Sequence, residues 1–236
     1  MADREVQRTE IHKVSDSHKK IDSALVIFEG EVLLRLNGRN YRSLYCVPTH
    51  LEELMRGYLV SGGICSPSAI EDIEVRSDKG RYVVEARAHS RSTEPRVINS
   101  EVRISIADIR DAVDRLYKHS ILHEKTNGTH TIDIFSGSNS VFAEDISRHC
   151  AIDKAIGLAL QNGIDLTACT MVTSCRQTES SITKAIYSQI PIVASIAAVT
   201  TMAIERARKY GITLVGFARE RNFCIYSHQE RILENG

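Results

Sequence analysis

Three apolar stretches of this chain each run into residues suited to holding an anion. ACTMVTS ends in Ser174-Cys175-Arg176, IPIVAS runs into Ile196-Ala197-Ala198, and ITLVGFA runs into Arg219-Glu220-Arg221-Asn222. A fourth stretch, SVFAED, is followed by Arg148 and His149 where a helix should begin. If the first three are parallel strands of an open α/β sheet, their carboxyl ends share one edge, and ligands bind at that edge. Arg148, His149, Arg176 and Arg219 would then converge on one crevice. Arginine offers a planar two-pronged donor suited to phosphate or pyrophosphate. The free N–H groups of a first helical turn favour an anion as well. The competing reading leaves these arginines solvated, or paired with Glu179, Glu205 and Glu220.

The elements that must position these residues can be read from pattern. THTIDIF alternates as a half-buried strand, SGSNS is a turn, and SVFAED is a second strand. Asp145 or Ser147 can cap a helix to Asn162, with Ile152, Ile156 and Leu160 on one face and Gly163 at its end. Helices are expected near 180–188 and over VTTMAIERARKYG. The resulting β-α-β-α-β alternation implies parallel strands with right-handed crossovers. Upstream, Asn37-Gly38 marks a tight hairpin turn. Thr49-x-x-Glu52 reads as a capping box ahead of a helix stopped by Gly62-Gly63. IEDIEV and RYVVEARA are strand candidates, HSRSTEPRVINSE is a polar loop, and Ser105 caps a helix through Leu116. The expected organisation is a polar tail over 1–20, a smaller α+β unit over 21–104, and an α/β unit over 105–236 with helices on both faces of a mixed sheet.

Composition narrows the function. The 236 residues carry 30 Lys+Arg and 30 Asp+Glu, so the net charge is zero. That argues against a nucleic-acid binder, which would show a basic excess. The N-terminal stretch has no apolar run, so no secretory signal is expected. Residues 185–204 lack charge over a length that could cross a bilayer, but they include Ser188, Gln189, Pro191, Ser195, Thr200 and Thr201. They read as pieces of a buried helix–strand–helix, and a soluble cytoplasmic protein without a membrane span is the expectation. No C-x-x-C occurs among Cys46, Cys65, Cys150, Cys169, Cys175 and Cys224, so a zinc ribbon is disfavoured and these read mostly as reduced core residues. No P-loop, dinucleotide fingerprint, nucleophile elbow or zinc-deaminase motif is present. His119 and His123 are spaced for one helix face but have no third ligand nearby, and they read as surface histidines.

From residue 126 to 226 the chain resembles the FdhD/NarQ formate dehydrogenase accessory proteins. The family segments read T-G-G-x-H, E-D-V-G-R-H-N-A-x-D-K-x-I-G, G-R-x-S-x-E-x-x-x-K, S-A-P-T-x-x-A and T-L-x-G-F-x-R. This chain has TNGTH at 126–130, EDISRHCAIDKAIG at 144–157, CRQTESSITK at 175–184, SIAAVTTMA at 195–203 and TLVGFARERNFCIY at 213–226. Weaker similarity extends upstream through EGEVLLRLNG and LEELMRGYLVSGGI. The resemblance implies a cytidine-deaminase-like C-terminal domain, a smaller N-terminal domain and a homodimer. It implies a carrier that takes sulfur from a cysteine desulfurase and passes it to the bis-guanine-dinucleotide molybdenum cofactor of formate dehydrogenase. That cofactor's guanine nucleotide would sit in the crevice. By resemblance, Phe217, Ala218, Arg219, Glu220, Arg221 and Asn222 line its nucleotide segment, and His130, Arg148, His149, Ser174 and Arg176 lie on the other motifs. The chain departs from the family where the sulfur chemistry is expected. The family's C-G-x-C-G loop corresponds to residues 87–103, which contain no cysteine. Cys150 stands for the family's Asn, Cys175 for its Gly, and Val199 for its Pro. A cofactor-binding chaperone without a sulfur relay, and an interaction protein docking on a molybdoenzyme, are the alternatives this leaves.

Overall fold

The structure, a computed structural model, describes residues 5–78, 81–89, 92–219 and 222–234. The first surprise lies in the expected tail. Strands β1 (Val6–Ser15) and β2 (His18–Ile27) form a two-stranded antiparallel hairpin, paired from Val6–Ile27 to Ser15–His18. Its side chains are mostly exposed on both faces. The sequence shows no alternation of apolar and polar residues there because the hairpin has no buried face, and main-chain pairing holds it together.

A four-stranded sheet follows, ordered β4-β3-β6-β5, from β3 (Gly30–Leu36), β4 (Arg39–Cys46), β5 (Ile70–Asp78) and β6 (Arg81–Ala88). Asn37 and Gly38 both take positive φ, 50° and 79°, in the hairpin turn the sequence called for. Helix α1 (Leu51–Ser61) lays Leu51, Leu54, Met55 and Leu59 onto Val32, Leu34, Val84 and Ala86 of this sheet. The expected capping box does not form. His50 occupies the N-cap in a left-handed conformation and makes no side-chain cap, so Thr49 lies one residue too early. The helix does stop at Gly62-Gly63, with Gly63 at φ 66°.

The chain then passes through β7 (Ile104–Ser105) and α2 (Ile106–Lys118), which begins on the expected cap Ser105, here in a reciprocal capping box with Asp108. After α3 (Ile121–Thr126) come β8 (His130–Ser136), β9 (Asn139–Asp145), α4 (Arg148–Gln161), β10 (Thr170–Thr173), α5 (Glu179–Tyr187), β11 (Ile192–Ser195), α6 (Thr201–Tyr210), β12 (Thr213–Arg219), β13 (Asn222–Ser227) and β14 (Ile232–Leu233). Six of these strands form a mixed sheet, β13-β12-β11-β10-β8-β9, in which β10, β11 and β12 are parallel. Helices cover both faces. α4, α5 and α6 bury Ile152, Ile156, Ile182, Ile186 and Ala203 against Ile132, Ile134, Met171, Val193 and Leu214. On the other side α2 buries Ile109, Val113 and Leu116 against Phe135, Val172, Ile192 and Val215. The uncharged stretch 185–204 is divided among α5, β11 and α6, and no helix among the described residues is long and apolar enough to cross a membrane.

The two sheets are joined through α4, which is buried on all sides. Gly57 of α1 and Gly157 of α4 face each other's backbones: a Cβ at Gly57 would collide with the Asp153 carbonyl, and one at Gly157 with the Glu53 carbonyl. Two buried charge clusters tie the seam. Lys154, with no exposed side-chain surface, donates to Asp145 Oδ2 at 2.6 Å and to the Val47 carbonyl at 2.7 Å. Lys184 of α5 donates to both Asp153 oxygens at 2.7 and 2.9 Å, and Ser61 of α1 donates to the same carboxylate.

Candidate functional site

The carboxyl ends of β10 and β11 meet the start of antiparallel β8, so His130, Ser174 and Ile196 line one cavity of about 280 Å³ with Tyr117, Thr129 and Gly128. Ser174 is locked in place. Its N–H donates to the Thr131 carbonyl at 3.0 Å, and its Oγ accepts from the Thr131 N–H at 2.8 Å, with no acceptor for the hydroxyl proton among the described residues. Glu144 holds two lining residues in place, accepting from the N–H groups of Leu122 and His123 and from the Thr129 hydroxyl.

Arg148 and Arg176 flank His130. Burial first, then the charge of Arg148, and finally those of His123 and Arg176, hold the imidazole below its usual range. Neither arginine has a hydrogen-bond or ion-pair partner among the described residues. The Nε of Arg148 is buried and unsatisfied. Stranding a guanidinium N–H away from water is costly unless something else takes it. Arg148 is also the first residue of α4, capped by Ser147, so its surroundings are already electropositive.

Ile196 connects this cavity to the end of β12. Its carbonyl accepts from Arg219 Nε at 2.6 Å. Arg219 opens in turn onto a second cavity of about 410 Å³, lined by Tyr117, Ala218 and Phe223. A bulge between Gly216 and Arg219 places Phe217 at φ 54°, with the residue 45% exposed and its N–H donating to the Ala197 carbonyl. The structure thus brings His130, Arg148, Ser174, Arg176, Phe217 and Arg219 along one edge. Ala218 is buried, and Asn222 is exposed opposite Arg219 on β13. Glu220 and Arg221 lie outside the described residues.

His149 departs from the expected grouping. It points into a separate cavity of about 420 Å³ with Arg42, Tyr58, Cys150, Asp153 and Lys184. Successive residues in the first turn of a helix diverge by about 100°, so Arg148 faces the crevice and His149 the seam with α1. Burial and the charges of Lys184 and Arg148 depress the His149 imidazole. Of the two histidines read as surface residues, His119 stacks on Phe142 with centroids 3.6 Å apart, and His123 bonds the Thr129 carbonyl at 2.9 Å. Among the described residues no cluster could hold a metal ion. Sequence reasoning placed Ile196 at the crevice edge and missed Tyr117 and Thr129 as walls of the crevice. Their neighbours carry motifs, but the residues themselves bear no charge that would single them out.

Comparison with known proteins places the chain in a family. The chain matches the model of the FdhD/NarQ family over residues 27–101 and 89–233. It is 29% identical to the sulfur carrier protein FdhD of Methanothermobacter thermautotrophicus, covering 94% of this chain and 96% of that one. It is 28% identical to the sulfur carrier protein FdhD of Wolinella succinogenes, covering 98% and 90%. A crystal structure of a candidate formate dehydrogenase accessory protein from Desulfotalea psychrophila shares the fold, with a TM-score of 0.86 over 97% of this chain at 22% identity. The order of the motifs, the sheet they build and the match across nearly the whole length lead to one assignment: the chain belongs to the FdhD/NarQ family.

Proposed function

We propose that this protein is a formate dehydrogenase accessory protein of the sulfur-carrier type, working in the cytoplasm as a homodimer. In this reading it binds the guanine-dinucleotide molybdenum cofactor as its cargo, in the crevice of a deaminase-like domain, and hands it sulfur drawn from a cysteine desulfurase. The observation that carries the reading is the unpartnered pair Arg148 and Arg176 beside His130, with the Arg148 Nε buried and unsatisfied. Two free guanidiniums, a free serine proton and a helix N-terminus form a donor set for a diphosphate. The exposed Phe217 ring at the far end offers a face to a base. The relatives' names as sulfur carriers support the second half of the reading.

Calorimetric titration with GDP, standing in for the guanine end of the cargo, tests it. GDP should bind, and Arg148→Ala should weaken binding by about 1–3 kcal/mol, the range for a charged contact. Absence of binding to the unaltered protein would remove the cofactor-binding reading and favour a protein that docks on its client without nucleotide. The cysteine-free stretch 87–103 favours one further reading, a cofactor chaperone that carries no sulfur. Failure of any cysteine to acquire sulfur from a persulfide donor would establish that reading in place of the carrier.

A further inference from the structure

The cavity that receives His149, about 420 Å³ at the seam of the two sheets, serves no step of the carrier reading. Leu44 of β4 and the Tyr58 ring of α1 form its apolar walls, and Arg42, His149 and Lys184 bring charge or the capacity for it. The Tyr58 ring is held on three sides. It meets Tyr41 edge-on with centroids 6.1 Å apart, its hydroxyl accepts from Arg42 at 3.5 Å, and Lys184 Nζ lies 5.6 Å from its centroid. The charges are unevenly spent. Lys184 gives its three N–H donors to the two Asp153 oxygens and to Ser61, so that ion pair is closed. Arg42, on the edge strand β4, has only the long bond to Tyr58 and no carboxylate partner among the described residues. Neither ring nitrogen of His149 has a hydrogen-bond partner there. An uncompensated guanidinium and an unpartnered imidazole, facing one cavity with an aromatic wall, suit an oxyanion on an apolar body.

We propose that this cavity is a second ligand site, taking a small organic oxyanion (a carboxylate or phosphate monoester on an aromatic body), with Arg42 and His149 as contacts to its charge and Tyr58 as the wall for its body. Binding there is coupled to a proton. Around His149 stand Arg42 from β4, Tyr58 from α1, Arg148, Cys150 and Asp153 from its own helix, and Lys184 from α5. In the empty site, burial and then the charges of Lys184, Arg148 and Arg42, against that of Asp153, hold the imidazole below its ordinary value of 6.5. An anion seated beside it offsets that field and favours the imidazolium. The occupied site therefore keeps its proton to higher pH than the empty one, and each anion bound takes up a proton between those two values. Affinity rises as pH falls through that window, by at most about tenfold per pH unit. Above the window His149 stays neutral, and Arg42 alone meets the charge.

Calorimetric titration of the full-length protein with benzoate and with phenyl phosphate, across about pH 5 to 8, tests the site. At least one probe should bind, and benzoate, whose own carboxyl is ionised throughout, should bind more tightly toward the acid end. His149→Gln should remove that pH dependence. Arg42→Gln, at an exposed position, should weaken binding about tenfold at every pH. Proton magnetic resonance should show the His149 ring titrating at higher pH with the probe bound. Saturating GDP should leave the probe in place, since the crevice is a separate cavity. Absence of binding by both probes, or binding that Arg42→Gln leaves unchanged, would overturn the proposal. Displacement by GDP would make the cavity part of the crevice and remove the second site. An unmoved His149 titration with the probe bound would remove the proton coupling.

Discussion

Lys154 and Arg148 lie two turns apart on α4, and both belong to the segment 144–157 that most strongly marks the family, yet they do different work. Lys154 holds the molecule together: with Asp145 and the Val47 carbonyl it forms a closed, fully buried cluster. Replacing it by methionine leaves the Asp145 carboxylate buried without its counter-ion. Lys154→Met should therefore cost about 3–5 kcal/mol in denaturant unfolding. Arg148 has no hydrogen-bond or ion-pair partner among the described residues, so Arg148→Ala should leave the melting temperature within a few degrees while weakening GDP. Phe217 combines both roles. Its left-handed backbone costs about 1–2 kcal/mol that glycine would not incur. Phe217→Gly should raise the melting temperature and weaken GDP together, a pairing that thermal scans and calorimetry read directly. Protons act on the same site. His130 and His149 are held below the usual imidazole value of 6.5. The unfolded chain therefore binds more protons as pH falls through 6.5, and folded stability declines in that window. His130→Gln should make the decline shallower in melting curves taken across it.

Helix α4 is the element on which both cavities depend, and its contact with α1 is made through glycine. Gly57→Ala would drive a methyl into the Asp153 carbonyl, next to the Lys184 cluster. About 3 kcal/mol or more of destabilisation follows, since backbone cannot yield as a side chain can. Circular dichroism during urea unfolding would measure it. The elements of the six-stranded sheet were legible in the sequence because their periods are unmixed: short apolar strands alternate with capped helices. Ser105, Ser147, Asn37-Gly38 and Gly163 all act where pattern placed them. The capping box at 49–52 failed because the left-handed His50 takes the N-cap and starts the helix one residue later, and a local motif carries no information about that. The crevice was legible in its charges and not in its walls. His149 was misplaced because adjacent residues of a helix diverge, which the linear text hides.

At the scale of the whole molecule, the two sheets cannot act as separate bodies. Asp153 receives Ser61 from the first unit and Lys184 from the second, and Cys46 packs in one core cluster with Cys150 across the same seam. The hairpin of β1 and β2 stands outside this arrangement. Among the described residues its pairing is with itself, and its main contact with the rest of the molecule is at its base, against α3. Its opening breaks cross-strand bonds and uncovers little apolar surface, so it unfolds locally at a small fraction of the global free energy. Amides of Val6–Ser15 should exchange with deuterium long before those of β10 to β12, and a calorimetric melting curve would record almost nothing of that event. The chain thus has two thermodynamic compartments. A substitution in the arm changes exchange and proteolysis there without moving the transition of the core.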